Sequence, residues 1–246
     1  MLKFVCVLVA LVTFCATLNL PPSFKKCKLR SGAFDQCLST AIQDAIQQLK
    51  KPLPEYGLPS IEPFEAPKEV FLEYGNETTG IRQKYFKIKI GGFTKIEKTS
   101  ARFNLERKIL FLNITFSELL FSSGYEARGR FILYPIDVST TVAMKIIKPT
   151  FKVVFNLEEY EKENTKYFRA LDSFLDIVLD GMTYDFKNIF QEEVLNKEFN
   201  RGMNGKWQNI VGFLQATFPK FWITLFEQTF NNLLERVPAS DLFVGL

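Results

Sequence analysis

From Trp207 to about Arg236 the chain reads as one helix with almost no polar side, and no other stretch limits its folding as strongly. Between Ile210 and Phe226 the only charge is Lys220. Ile210, Val211, Phe213, Leu214, Phe218, Phe221, Trp222, Ile223, Leu225 and Phe226 cover most of the circumference. Thr217, Lys220, Thr224, Glu227, Gln228, Asn231 and Glu235 fall on a narrow stripe at helical spacing. A helix of this kind has to be wrapped by other structure. At about 1.5 Å per residue it would run on the order of 40 Å, and Pro219 should bend it. A transmembrane helix is the alternative, but the apolar stretch is short and is broken by Pro219 and Lys220.

The wrapping is supplied by the middle of the chain. Phe86, Ile88 and Ile90 alternate with Tyr85, Lys87 and Lys89, and Phe151, Val153, Phe155 and Leu157 alternate with Lys152, Val154 and Asn156. Leu171, Leu175, Ile177 and Leu179 form a third apolar set, opposite Asp172, Phe174, Asp176, Val178 and Asp180. Residues 101–116 and 125–147 carry further strand patterns. Long strands with short turns imply a large, mostly antiparallel sheet. Ahead of it, Leu38, Ala41, Ile42, Ala45, Ile46 and Leu49 predict an amphipathic helix over about 35–50, with Asp35 as its N-cap and Pro52 and Pro54 ending it. A proline-rich connector follows, anchored by Ile61 and Phe64.

The expected fold is therefore α+β: a long bent C-terminal helix wrapped by a strongly curved antiparallel sheet, enclosing an elongated apolar tunnel. Phe86, Ile88, Leu110, Leu112, Phe151 and Val153 would line it from the sheet, and Phe213, Leu214, Phe221, Leu225 and Phe226 from the helix. Apolar voids stay dry and accept apolar guests. The alternative is that all 26 phenylalanines are ordinary core.

The N-terminus predicts export. Lys3 is followed by an apolar run from Phe4 to Phe14 and by small residues at 15–17, the pattern of a signal peptide over 1–17; a retained membrane anchor is the alternative. One domain is expected over 18–246, since no repeat or linker divides it. Cys6 and Cys15 would leave with the signal, so Cys27 and Cys37 have only each other, and an oxidising route favours a disulfide over two free thiols. Asn76 and Asn113 open two glycosylation sequons, and alternation puts Asn113 on the outward face of its strand.

The absence of histidine removes Ser-His-Asp and Cys-His catalysis, the common histidine zinc sites and the usual base near neutral pH. No phosphate-binding glycine loop is present; Gly91-Gly92 lacks the rest of such a signature. No cofactor is expected. Lys25, Lys26, Lys28 and Arg30 form a basic cluster, read as a solvated segment rather than a nucleic-acid or membrane site.

Taken in order, several weak motifs add up. The spaced pair Cys27 and Cys37, the second opening "FDQCLSTAIQDAI", is followed by "YGLPSIEPF" at 56–64 and "SSGYEARGRF" at 122–131. "YDFKNIFQ" at 184–191 and "RVPASDLF" at 236–243 complete the set. In this the chain resembles the Takeout and juvenile-hormone-binding family of secreted arthropod proteins, tubular lipid-binding proteins. It departs from that pattern at Ile136–Ser139 and at Gln191, where the family commonly has glycines. The resemblance implies a secreted carrier holding a terpenoid, fatty-acyl or quinone-type ligand, with a short N-terminal disulfide and no chemistry done on the ligand. Family members are associated with hormone transport, feeding, mating behaviour and circadian output. The partner would be a small apolar molecule, with neither nucleic acid nor stable membrane insertion, and no receptor is indicated. Two other readings remain open: an extracellular interaction protein with a packed core, and an enzyme using carboxylates.

Overall fold

The computed structural model describes residues 18–75, 80–131, 134–214 and 218–245. The expected signal segment 1–17 and the Asn76 sequon lie outside the described residues. The chain opens with a short strand β1 (Cys27–Lys28), helix α1 (Phe34–Gln48) and a 3-10 turn at Pro54–Tyr56. The strands β2 (Phe64–Glu65), β3 (Val70–Tyr74), β4 (Ile81–Gly91), β5 (Ile96–Asn104), β6 (Ile109–Phe116) and β7 (Glu118–Phe131) follow. Then come β8 (Tyr134–Ile147), β9 (Thr150–Lys162), β10 (Thr165–Val178) and β11 (Gly181–Phe186). The chain ends with α2 (Glu193–Gly205), α3 (Trp207–Leu214), α4 (Phe218–Leu234), α5 (Ala239–Leu242) and β12 (Phe243–Val244).

The strands form two antiparallel halves, β10-β9-β6-β5 and β11-β8-β7-β4-β2, with β3 also paired to β4. The pairs β4/β5, β6/β7, β8/β9 and β10/β11 hold the same rank in both halves. Each pair is one long ribbon that changes direction at a shared corner, near Gly92–Lys95, Ser117, Lys148–Pro149 and Leu179–Asp180. Backbone bonding continues through the corner: Lys148 N–H donates to the Ser117 carbonyl at 3.1 Å, and Ser117 N–H to Lys95 at 3.0 Å. The Glu62 carboxylate pins it from outside, accepting from Gly92 N–H at 2.8 Å and the Thr94 hydroxyl at 3.1 Å. Gly92 has φ +102°, and a Cβ there would stand 2.4 Å from the Glu118 carbonyl, so only glycine fits. A two-residue turn, Glu163-Asn164, joins β9 to β10 with both φ positive, the geometry that matches strand twist.

An open sheet leaves unpaired backbone groups at its edges, and these recruit foreign strands unless covered. Here helices cover three of them with side-chain amides, a carboxylate and a hydroxyl. From α2, Asn196, Asn200 and Asn204 each clamp one residue of or beside the outer strand β11. The Asn200 amide accepts from Phe186 N–H at 2.8 Å and donates to its carbonyl at 2.9 Å; Asn204 does the same to Tyr184, and Asn196 to Phe190. The i, i+4, i+8 spacing aligns the three amides along one face. On β10, Asn231 of α4 brackets Ala170 and the Glu227 carboxylate accepts from Ser173 N–H at 3.0 Å. On β5, Ser39 of α1 accepts from Ala101 N–H at 2.8 Å.

Several expectations are corrected. Helix α1 has Ala33 at its N-cap with no side-chain cap, and Asp35 instead sits in the first turn, where a carboxylate suits the helix dipole. The C-terminal pattern is carried by the described helices α3 and α4, with Pro219 in the second; residues 215–217 between them lie outside the described residues. Helix α2 was absent from the sequence reading. Register slips by one residue in β4, β5 and β10, and the slips in β4 and β10 overturn the expected facing. A bulge at Lys87 (φ 51°) turns Tyr85 and Ile88 inward and leaves Phe86 on the outer face, its ring lying across Gly124. Lys84 Nζ stands 5.2 Å from the centre of that ring. A second bulge at Asp172 (φ 48°) leaves Leu171 exposed while Leu175 stays buried.

Candidate ligand-binding cavity

Between α1, the β5-β6-β9-β10 half and the second half of α4 lies a cavity of about 330 Å³. Its walls follow from the alternation of the strands. Leu110, Leu112 and Ile114 of β6 face inward, as do Phe151, Val153 and Phe155 of β9, while Asn113 between them is exposed. Helix α1 closes a second side with Leu38, Ala41, Ile42, Ala45 and Ile46; α4 contributes Phe226, Thr229, Phe230, Leu233 and Leu234. Phe64, Phe93, Phe103, Phe116 and Phe168 add to the aromatic lining. Apart from Lys25 and Thr229, every described side chain on the wall is a hydrocarbon. Cavities of roughly 300–1,000 Å³ with mostly apolar walls are the usual size for small-molecule sites.

One end is bordered by the two ends of the described chain. Strand β1 pairs in parallel with β12, matching Cys27 to Phe243. The Cys27–Cys37 disulfide ties β1 to α1, and Lys26 Nζ pairs with Asp241 at 2.8 Å. Phe243 stacks on Phe103 with ring centres 5.4 Å apart. Here the wall includes Leu20, Phe24, Lys25 and Leu242; Lys25 is exposed, so the cavity meets solvent beside it.

A smaller void of about 70 Å³ lies past the corner, among Leu119, Phe121, Met144, Met182, Val211 and Trp222. Phe151 lines both spaces. It stands in a cluster with Phe226, Phe116 and Phe93, at ring-centre distances of 5.8, 5.4 and 6.4 Å. Trp222 joins the cluster through Phe93 and Phe226. This aromatic group is the partition between the two voids.

Of the residues expected to line a tunnel, Leu110, Leu112, Phe151, Val153 and Phe226 border the main cavity. Ile88 and Leu225 are buried core, and neither borders a described cavity. Phe221 packs on Trp222 instead, at 5.2 Å. Phe86 points outward. Phe213 and Leu214 belong to α3, and their side chains lie outside the described residues. The open space thus sits beside the second half of α4, one to two turns later than expected. The contribution of α1 was missed because its apolar face reads equally well as core. In the sequence Lys25 is indistinguishable from its solvated neighbours Lys26, Lys28 and Arg30.

Past the corner the inner face is more polar. Tyr125 and Tyr85 both donate to Gln83 Oε1, at 2.9 and 3.3 Å, and the buried Tyr184 hydroxyl has no partner among the described residues. Burial holds all three phenols above their ordinary range. A wider cleft of about 570 Å³ on the outer face, bordered by Asp35, Gln36, Arg102 and Lys152, carries Asn113; its charged walls suit water rather than an apolar guest. Among the described residues no cluster of potential metal ligands occurs, and no helix is long and apolar enough to cross a membrane.

The family model "Haemolymph juvenile hormone binding protein" matches residues 4–244. The crystal structure of Epiphyas postvittana Takeout 1 superposes with a TM-score of 0.75 at 16% identity, covering 89% of this chain and 99% of that one. The crystal structure of lipopolysaccharide binding protein superposes with a TM-score of 0.44 at 12% identity, covering 79% of this chain and 38% of the other. No curated protein shows a significant sequence match.

Proposed function

The chain belongs to the haemolymph juvenile hormone binding protein family, and on that footing we propose that it is a secreted carrier of one small apolar ligand, held in the 330 Å³ cavity. The observation that carries this reading is the wall itself, whose described side chains are all hydrocarbon but for Lys25 and Thr229. Enclosing on the order of 400 Å² of apolar ligand surface is worth roughly 10 kcal/mol before the cost of association. Terpenoids, fatty-acyl chains and quinone-type lipids all meet that requirement. The role needs no acid, base or nucleophile, which agrees with a sequence free of histidine. Export over a signal segment at 1–17 and a glycan on the exposed Asn113 belong to the same proposal.

Thermal melts with a farnesyl-type terpenoid, a long-chain fatty acid and a quinone test it. A bound guest should stabilise the fold by roughly 2.7 kcal/mol at a hundredfold excess over its dissociation constant. Ala41→Phe places a ring from α1 into the cavity and should abolish the shift in a folded protein. If no guest moves the wild-type melt, the carrier reading fails.

A further inference from the structure

The main cavity has one charged residue on its described wall, and it stands where the cavity meets solvent. The other polar side chain there, Thr229, is already committed: its hydroxyl donates to the Leu225 carbonyl at 2.9 Å. Among the described residues no carboxylate borders the space. The adjacent Lys26 is paired with Asp241, whereas no described carboxylate pairs with Lys25. Lys28 and Arg30 are exposed on the same segment and keep the approach positive.

A wholly apolar guest would make no use of this arrangement. A guest with a polar end meets one available counterpart, a cation at the rim. We infer that the cavity takes a single-chain amphiphile whose head is a carboxylate, seated tail first with the head against Lys25 Nζ. This rests on the carrier reading and narrows it to a ligand class. The tail gains from burial, and the head stays in water at the rim, avoiding the cost of desolvating a charge. The ammonium then sets orientation and preference, through the modest attraction expected of a partly exposed ion pair.

The test is a titration of wild type, Lys25→Ala and Lys25→Arg with dodecanoate and with its methyl ester, at low and high salt. Wild type should bind the acid more tightly than the ester. Lys25→Ala should lose roughly two- to fivefold in affinity for the acid and nothing for the ester. Lys25→Arg should keep the preference, and high salt should erase it. A wild type that binds the ester as well as or better than the acid overturns the assignment and leaves the carrier reading standing. So does an unchanged acid preference in Lys25→Ala. Binding of neither compound overturns both.

Discussion

Truncating Phe151 to alanine opens the wall between the two voids. The ring is buried, borders both spaces and packs against Phe116, Phe226 and Phe93. Its removal leaves a void on the order of 100 Å³, worth about 2.4 kcal/mol at 24 cal/mol per Å³, and forfeits roughly 1.5–3 kcal/mol of transfer free energy. Open space on both sides limits relaxation, so the cost should be about 4–5 kcal/mol, toward the upper end for Phe→Ala substitutions. For a chain of this size that lowers the melting temperature by about 8–20 °C. The same change joins the 330 and 70 Å³ spaces. Urea denaturation gives the first quantity. A series of fatty acids of increasing length, followed by melting shifts, gives the second: Phe151→Ala should move the best-bound length upward. A loss of stability under about 1 kcal/mol with an unchanged length preference would refute the view of this ring as the partition.

Asn200→Ala should cost about 1–3 kcal/mol, because the N–H and carbonyl of Phe186 lose both partners at once; hydrogen exchange at Phe186 and Tyr184 should rise, and unchanged protection there would mean that α2 does not cap this edge. Replacing Cys27 and Cys37 together by serine should cost roughly 3 kcal/mol on the chain-entropy account for bridged residues 10 apart in sequence, read from denaturation midpoints in reducing and non-reducing buffer. Stability should be flat between about pH 6 and 8, with no histidine to titrate. Above about pH 10 the unfolded chain ionises Tyr85, Tyr125 and Tyr184 while the folded chain holds their protons, so stability should fall as pH rises. The limit is about 1.4 kcal/mol per tyrosine per pH unit, and ionisation of all eight tyrosines before any loss of circular dichroism would contradict it.

Much of the site can be read in the sequence where periodicity is unbroken. β6 and β9 run without bulges, so Leu110, Leu112, Phe151 and Val153 face the cavity and Asn113 faces out, as simple alternation requires. Where a single residue is inserted, alternation misleads. Nothing local to Lys87 or Asp172 announces a positive φ, and each reverses the face of the residues before it. The asparagines of α2 look like a polar, weak helix, because their partners are backbone groups of a strand distant in space until the fold forms.

The sequence by itself determined the periods: a helix-spaced apolar stretch at the C-terminus, long alternating strands, a candidate Cys27–Cys37 pair and no histidine. Those follow from local chemistry and counting. Tertiary structure decided where the open space falls. It depends on the turn of four ribbons at one corner, on α1 closing over the β5–β6 side and on which turn of α4 faces it. Leu225 and Phe226 are adjacent and equally apolar, yet one is packed core and the other borders the cavity, because a void is set by the mismatch of surfaces brought together by packing.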